Sequence, residues 1–128
     1  MQAKTADYLA TGDDNRDLAN ALIIAATPVA RDWVAVIAFY AAVHYMNAYI
    51  YEKQQHIVTP DSGGHKDRSK RVKDASDLQG VASAYIRLSN LAYNVRYEPR
   101  YHLSDTVART ALRHMEAIEQ VVKPLVSP

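Results

Sequence analysis

Cysteine is absent from this chain of 128 residues. That absence excludes a disulfide framework, a thiolate metal site and a cysteine nucleophile together. Glycine and proline are scarce, at four and five residues, so few positions are marked for turns, while the helix formers Ala and Leu are abundant. A dominant charge is missing too. The formal net charge is +1, and no global field points to nucleic acid or an anionic membrane. No segment alternates with the period of a strand, and there is no internal repeat or low-complexity tract. P-loop, GxSxG and dinucleotide fingerprints are lacking. None of Glu52, Glu98, Glu116 and Glu119 is followed three residues later by His, so the ligand set of a di-iron bundle is not present. The opening MQAKTADYLA has no apolar signal core, and the expectation is a cytoplasmic protein.

What the sequence does hold is helical periodicity, centred on DWVAVIAFYAAVHYMNAYIYE, Asp32 to Glu52. This longest apolar run contains the only Trp, the only Phe and several of the tyrosines. Trp33, Ile37, Tyr40, His44, Asn47 and Tyr51 fall three or four apart, which predicts an inward helix face widened by Val36, Val43 and Ile50. The alanines between them permit close packing. The run is long enough to span a bilayer. However, His44 and Asn47 sit near its middle, and its tyrosines are spread along it instead of gathered at the ends. A buried core helix capped by Asp32, with no membrane contact, is therefore expected.

Around that helix the chain reads as one domain, residues 1–128, of sufficient length for a real core. A short helical lead-in over residues 4–10 precedes a first amphipathic helix that starts at Asp13 or Asp14 and stops at Pro28, with Leu18, Leu22 and Ala25 on one stripe. QQHIVTPDSGG has loop and turn chemistry. The basic run HKDRSKRVKDASD is expected as at best a short surface helix. A strong helix spans about Leu78 to Tyr97 and is ended by Pro99. Ser104 and Asp105 open the last one, with Val107, Ala111, His114, Ile118, Val121 and Leu125 inward. The expected fold is all-α, an antiparallel four-helix bundle with an additional short basic helix. Its interior should contain Trp33, Ile37, Tyr40, Leu88, Ala92 and Ile118.

Candidate chemistry gathers at LSNLAYNVRYEPRYHLSD, the junction between the last two helices. Asn94, Arg96, Tyr97, Arg100, Tyr101 and His102 crowd a proline-bearing turn. Arginine offers a planar fork of donors to phosphate, and histidine exchanges a proton near neutral pH. That pair suffices in principle to cleave RNA without a metal. The competing reading is that Arg96 caps its own helix and the tyrosines pack the turn. His44 and His114, on apolar faces, read as hydrogen-bonded core histidines. His56 and His65 flank a glycine-bearing loop, but no convergent carboxylate set accompanies them, so no metal or cofactor is expected.

The order of elements resembles the HEPN superfamily of small all-helical domains. The resemblance rests on DWVAVIAFYAAVHYMNAYIY, then GGHKDRSKRV, then AYIRLSNLAYNVRY leading into the final helix, and spans about Asp14 to Val122. The family signature is Arg, four to six residues, then His. Here it falls on Arg96 and His102, with five residues between them. The resemblance implies a metal-independent endoribonuclease of toxin–antitoxin or antiviral type, in which two subunits bring their motifs into one cleft. Arg96 and His102 are then catalytic. Arg100, Tyr97, Tyr101, Asn94, Lys66 and Arg68 bind substrate, with Lys70 and Arg71 also in the basic segment. The implied partners are a second copy, RNA or a nucleotide, and an antitoxin or nucleotidyltransferase-type protein. The ending AYNVRY also resembles a branch in which the Arg-Tyr pair is structural. The alternative is thus a non-catalytic module that binds a nucleotide or a partner protein.

Overall fold

In a computed structural model describing residues 1–127, helix α1 runs from Ala3 to Ala25 and α2 from Pro28 to Gln54. Helix α3 follows over Gly64–Asp74, α4 over Ala82–Tyr97 and α5 over Asp105–Val126, with a single 3₁₀ turn at Ser76–Leu78. The described residues contain no strand. The five α-helices pack together around α2, which touches α1, α5, α4 and α3. It is long and apolar enough to cross a membrane, but 72% of its apolar window is buried inside the molecule. Helix α2 is the core.

The first correction concerns α1. The sequence suggests a break near Thr11-Gly12-Asp13, yet the helix is continuous, and packing supplies the reason. A Cβ on Gly12 would lie 2.6 Å from the Tyr45 ring. Glycine there lets the α2 tyrosine lie against the α1 backbone, where its hydroxyl donates to Asp13 Oδ1 at 2.7 Å. Lys123 on α5 also pairs with Asp13 at 2.7 Å. Burial drives the Tyr45 phenol well above the usual range, with the Asp13 bond adding to it.

The start of α2 is the second. Thr27, not Asp32, caps the helix: its hydroxyl accepts from Ala30 N at 3.2 Å, and Pro28 takes the first helical position. Asp32 lies inside the helix, buried, and is left for tertiary partners.

The third is the phase of α2. Its fully buried residues include Val34, Ala35, Ala38, Ala41, Ala42, Tyr45 and Met46, whereas Trp33 is 44% exposed and Ile37, Tyr40, His44, Asn47 and Tyr51 are half-buried. With neighbours on several sides, the alanine faces win the interior because they admit the closest helix approach. The bulky stripe is left at the margin.

Smaller shifts follow the same logic. In α1, Ala19 and Ile23 are buried and Leu18 and Ala25 are exposed. In α5, Ala108, Leu112, Met115 and Val122 join Ala111 and Ile118 inside, while Val107 is exposed. Helix α3 is the expected short helix at the surface, burying Val72 alone, while Ala75 and Leu78 just after it are also buried. Helix α4 begins at Ala82 and ends as expected before Pro99, and Ser104 caps α5 through Val107 N.

Candidate functional site

Helix α4 places Ser89, Tyr93, Arg96 and Tyr97 on one face, at helical spacings of four, seven and eight. Arg96, in the last turn, is well placed for the negative end of the helix dipole. Its Nε donates to Ala92 O at 3.0 Å and its Nη1 to the Tyr40 hydroxyl at 3.3 Å. The guanidinium lies over the Tyr40 and Tyr97 rings, 5.8 and 5.2 Å from their centroids. Tyr93 and Tyr97 stand together with centroids 4.9 Å apart.

Helix α3 supplies the facing wall. Gly63 and Gly64, at φ of 116° and 55°, turn the chain into its first residues. His65 and Arg68 then lie one turn apart. Arg68 Nε donates to Asn47 Oδ1 at 2.9 Å. His65 Nε2 is 3.2 Å from Ser89 Oγ, and its ring meets Phe39 edge-on. These three helices enclose a cleft of about 390 Å³, walled by Phe39, Tyr40 and Val43 of α2, His65 and Arg68 of α3, and Ser89, Tyr93, Arg96 and Tyr97 of α4. No carboxylate lines it.

Electrostatics in this region favour anions. Burial lowers the His65 pKa, and Arg68, Arg96 and Lys73 push it the same way. Burial also lowers His44, with Arg68 contributing. His44 Nδ1 is buried without a hydrogen-bond partner, and the buried Tyr85 hydroxyl faces the Arg68 guanidinium. His44 Nδ1 thus lacks the partner expected of a core histidine, and His114 is half-buried in a depression beside Arg87.

The expected pair is distributed otherwise. His102 Nδ1 lies 2.7 Å from Asp32 Oδ2, and Leu103 N donates to Asp32 Oδ1 at 2.7 Å. The histidine side chain is 64% exposed and the aspartate 8%. Arg96 is anchored at Tyr40 and His102 at Asp32, stations about 12 Å apart along α2. The two residues share no bond. The Arg96 interactions with its own helix and with Tyr40 include the capping role read from its position.

Of the expected substrate-binding residues, Arg68 and Tyr97 line the Arg96 cleft. Lys66 lies in an adjoining groove of about 400 Å³ with Lys70 and Lys73, and that groove shares His65 and Ser89 with the cleft. Asn94 faces another depression, beside Arg87 and His114. Arg100 is exposed at φ 59°, and Tyr101 packs against the core. His56 Nε2 meets Asp67 Oδ2 at 2.7 Å, so the two loop histidines take separate partners. Among the described residues no three metal-ligating side chains converge. Residues not singled out as binding from the sequence are Tyr40, His65, Ser89 and Tyr93. Their signal was periodicity: His65 and Arg68 on one face of α3, Ser89 to Tyr97 on one face of α4.

No family model, curated protein or solved structure matches this chain.

Proposed function

We propose that this chain is a HEPN-like module, a single antiparallel four-helix bundle with an additional short basic helix, that binds RNA or a nucleotide in the cytoplasm. The observation that carries the reading is the convergence of Arg68 and Arg96, from different helices, on an aromatic-walled cleft with no carboxylate. Guanidinium forks suit phosphate, and exposed tyrosines suit a base or ribose face. Fluorescence anisotropy with a labelled single-stranded RNA tests it. Arg68→Gln and Arg96→Gln are each expected to weaken binding at least tenfold, and affinity should fall as salt rises. Binding that ignores both substitutions removes the reading.

A specific feature favours a second reading, the metal-independent endoribonuclease of toxin or antiviral type. Asp32 holds Nδ1 of His102, whose side chain is 64% exposed, the arrangement of an oriented acid–base group. Because Arg96 and His102 are anchored apart in one subunit, this reading needs a homodimer that brings one copy's arginine to the other's histidine. Cleavage should then proceed in EDTA and leave a 2′,3′-cyclic phosphate, with His102→Ala slowing it about 10²–10⁴-fold. Light scattering that finds only monomer at high micromolar concentration would exclude the composite cleft. An antitoxin or nucleotidyltransferase-type partner belongs to either reading.

A further inference from the structure

We infer that the cleft formed by Arg68, Arg96, His65 and Ser89 selects a nucleoside phosphate monoester, either a free nucleotide or the phosphorylated end of an RNA strand, over an internal phosphodiester. The inference rests on the cleft being the ligand site.

The donor inventory leads to this class. A guanidinium has five N–H groups. Arg68 commits Nε to Asn47, and its guanidinium also faces the buried Tyr85 hydroxyl, which leaves one terminal amino group for a ligand. Arg96 commits Nε to Ala92 and one Nη1 hydrogen to Tyr40, which leaves Nη2 whole. These two forks come from different helices, and the His65–Ser89 pair, 3.2 Å apart, forms a third polar wall. A monoester carries a charge of about −1.5 to −2 near neutral pH and three terminal oxygens. A diester carries one charge and two. Two permanent cations, a third polar wall and no acidic group in the lining match the monoester in both charge and oxygen count.

Size and surroundings point the same way. The cleft volume of about 390 Å³ lies near the lower end of small-ligand sites, about 300–1,000 Å³, which suits one nucleotide. Beside Arg96 the Tyr93 and Tyr97 rings are 55% and 62% exposed, an aromatic platform on which a base can stack. On the other side of the His65–Ser89 wall lies the groove with Lys66, Lys70 and Lys73. Lys70 is paired with Asp74, whereas Lys66 and Lys73 have no ion pair among the described residues. A strand whose end fills the cleft has this groove for its next phosphates. A free nucleotide does not use it.

Calorimetric titration of the full chain tests the inference with short RNAs of one sequence carrying a phosphate at the 5′ end, at the 3′ end or at neither, together with AMP and adenosine. At least one end-phosphorylated RNA, or AMP against adenosine, should bind tenfold or more tightly than its unphosphorylated twin. Arg68→Gln should erase that difference. If AMP binds as tightly as the best RNA and Lys66→Gln/Lys73→Gln changes nothing, the ligand is a free nucleotide. If an end-phosphorylated RNA binds tighter and loses affinity in the double variant, it is an RNA end. Equal affinity of phosphorylated and unphosphorylated twins, with Arg96→Gln still weakening both, overturns the inference and leaves the binding site standing. No binding of any probe overturns both. Should Arg68→Gln lose its thermal transition, competition on the wild-type chain decides: AMP must displace labelled RNA where adenosine does not.

Discussion

Arg96 divides its donors between structure and ligand, and this sets what its replacement does. Arg96→Ala removes two hydrogen bonds and the cation–π contacts with Tyr40 and Tyr97. A stability loss of about 1–2 kcal/mol is expected alongside the loss of binding. Arg96→Lys restores the charge without the fork and should rescue binding poorly. The Asp32–His102 pair predicts an asymmetry. Asp32 is buried and is the acceptor for the buried Leu103 N–H. Asp32→Ala strands that donor and should cost about 1–3 kcal/mol in a denaturant melt. His102→Ala, at an exposed side chain, should cost less than about 0.5 kcal/mol. Equal costs would show that the histidine, and not the backbone bond, is what Asp32 supports.

At the scale of elements, two contacts decide how the helices lie. The α1–α2 crossing depends on Gly12 under the Tyr45 ring, where a Cβ at 2.6 Å has no room. Gly12→Ala should cost about 1–3 kcal/mol despite its better helix propensity, since overpacking outweighs the gain of about 1 kcal/mol. Helix α2 presents its alanines inward and its large stripe to the margin, so size and stability separate. Trp33→Ala should cost about 1–2 kcal/mol, because the indole is 44% exposed. Leu88→Ala, at a fully buried side chain, should cost about 2–5 kcal/mol. A Trp33 cost above that of Leu88 in urea melts would mean that α2 is rotated from the phase described. The loop after α2 is held by Asp67, which receives His56, Ser62 and Arg71. Those bonds hold its carboxyl well below the ordinary value, 3.8. Its stabilisation is therefore complete above that value and fades as pH falls below it.

For the whole molecule, three histidines give a separate and milder acid response. Burial lowers the pKa values of His44 and His114 from the ordinary value of 6.5, with nearby arginines adding to the effect, and the more exposed His65 shifts the same way with a smaller weight. As pH drops through 6.5 the unfolded chain takes up protons that these three groups resist when folded, so their contribution to stability falls. The depressed carboxylates Asp13 and Asp67, with ordinary values of 3.8, stay out of this window. Denaturant midpoints should therefore be lower at pH 5.5 than at pH 7.5, and His44→Gln should reduce the difference. A midpoint that does not move over this range would mean the histidines are as well solvated folded as unfolded.

The sequence by itself determined the helical class, the centrality of the Asp32–Glu52 run, the stop before Pro99 and the Ser104 cap. Each follows from local rules: periodicity, proline sterics and a side-chain oxygen beside free N–H groups. It also placed Arg68, Arg96 and Tyr97 among the residues worth watching. Only the tertiary structure decided which face of α2 is inside, because a helix apolar nearly all round carries too little asymmetry to choose. The choice fell to close backbone approach, which favours alanine over tryptophan. Tertiary contact likewise kept α1 whole across Gly12 and turned Asp32 from an expected cap into a buried acceptor. It also separated Arg96 from His102 while joining Arg96 to Arg68 and His65. Proximity in the chain put the first pair together on paper; in the fold, α2 holds each at a different station, and residues some thirty positions apart share the cleft.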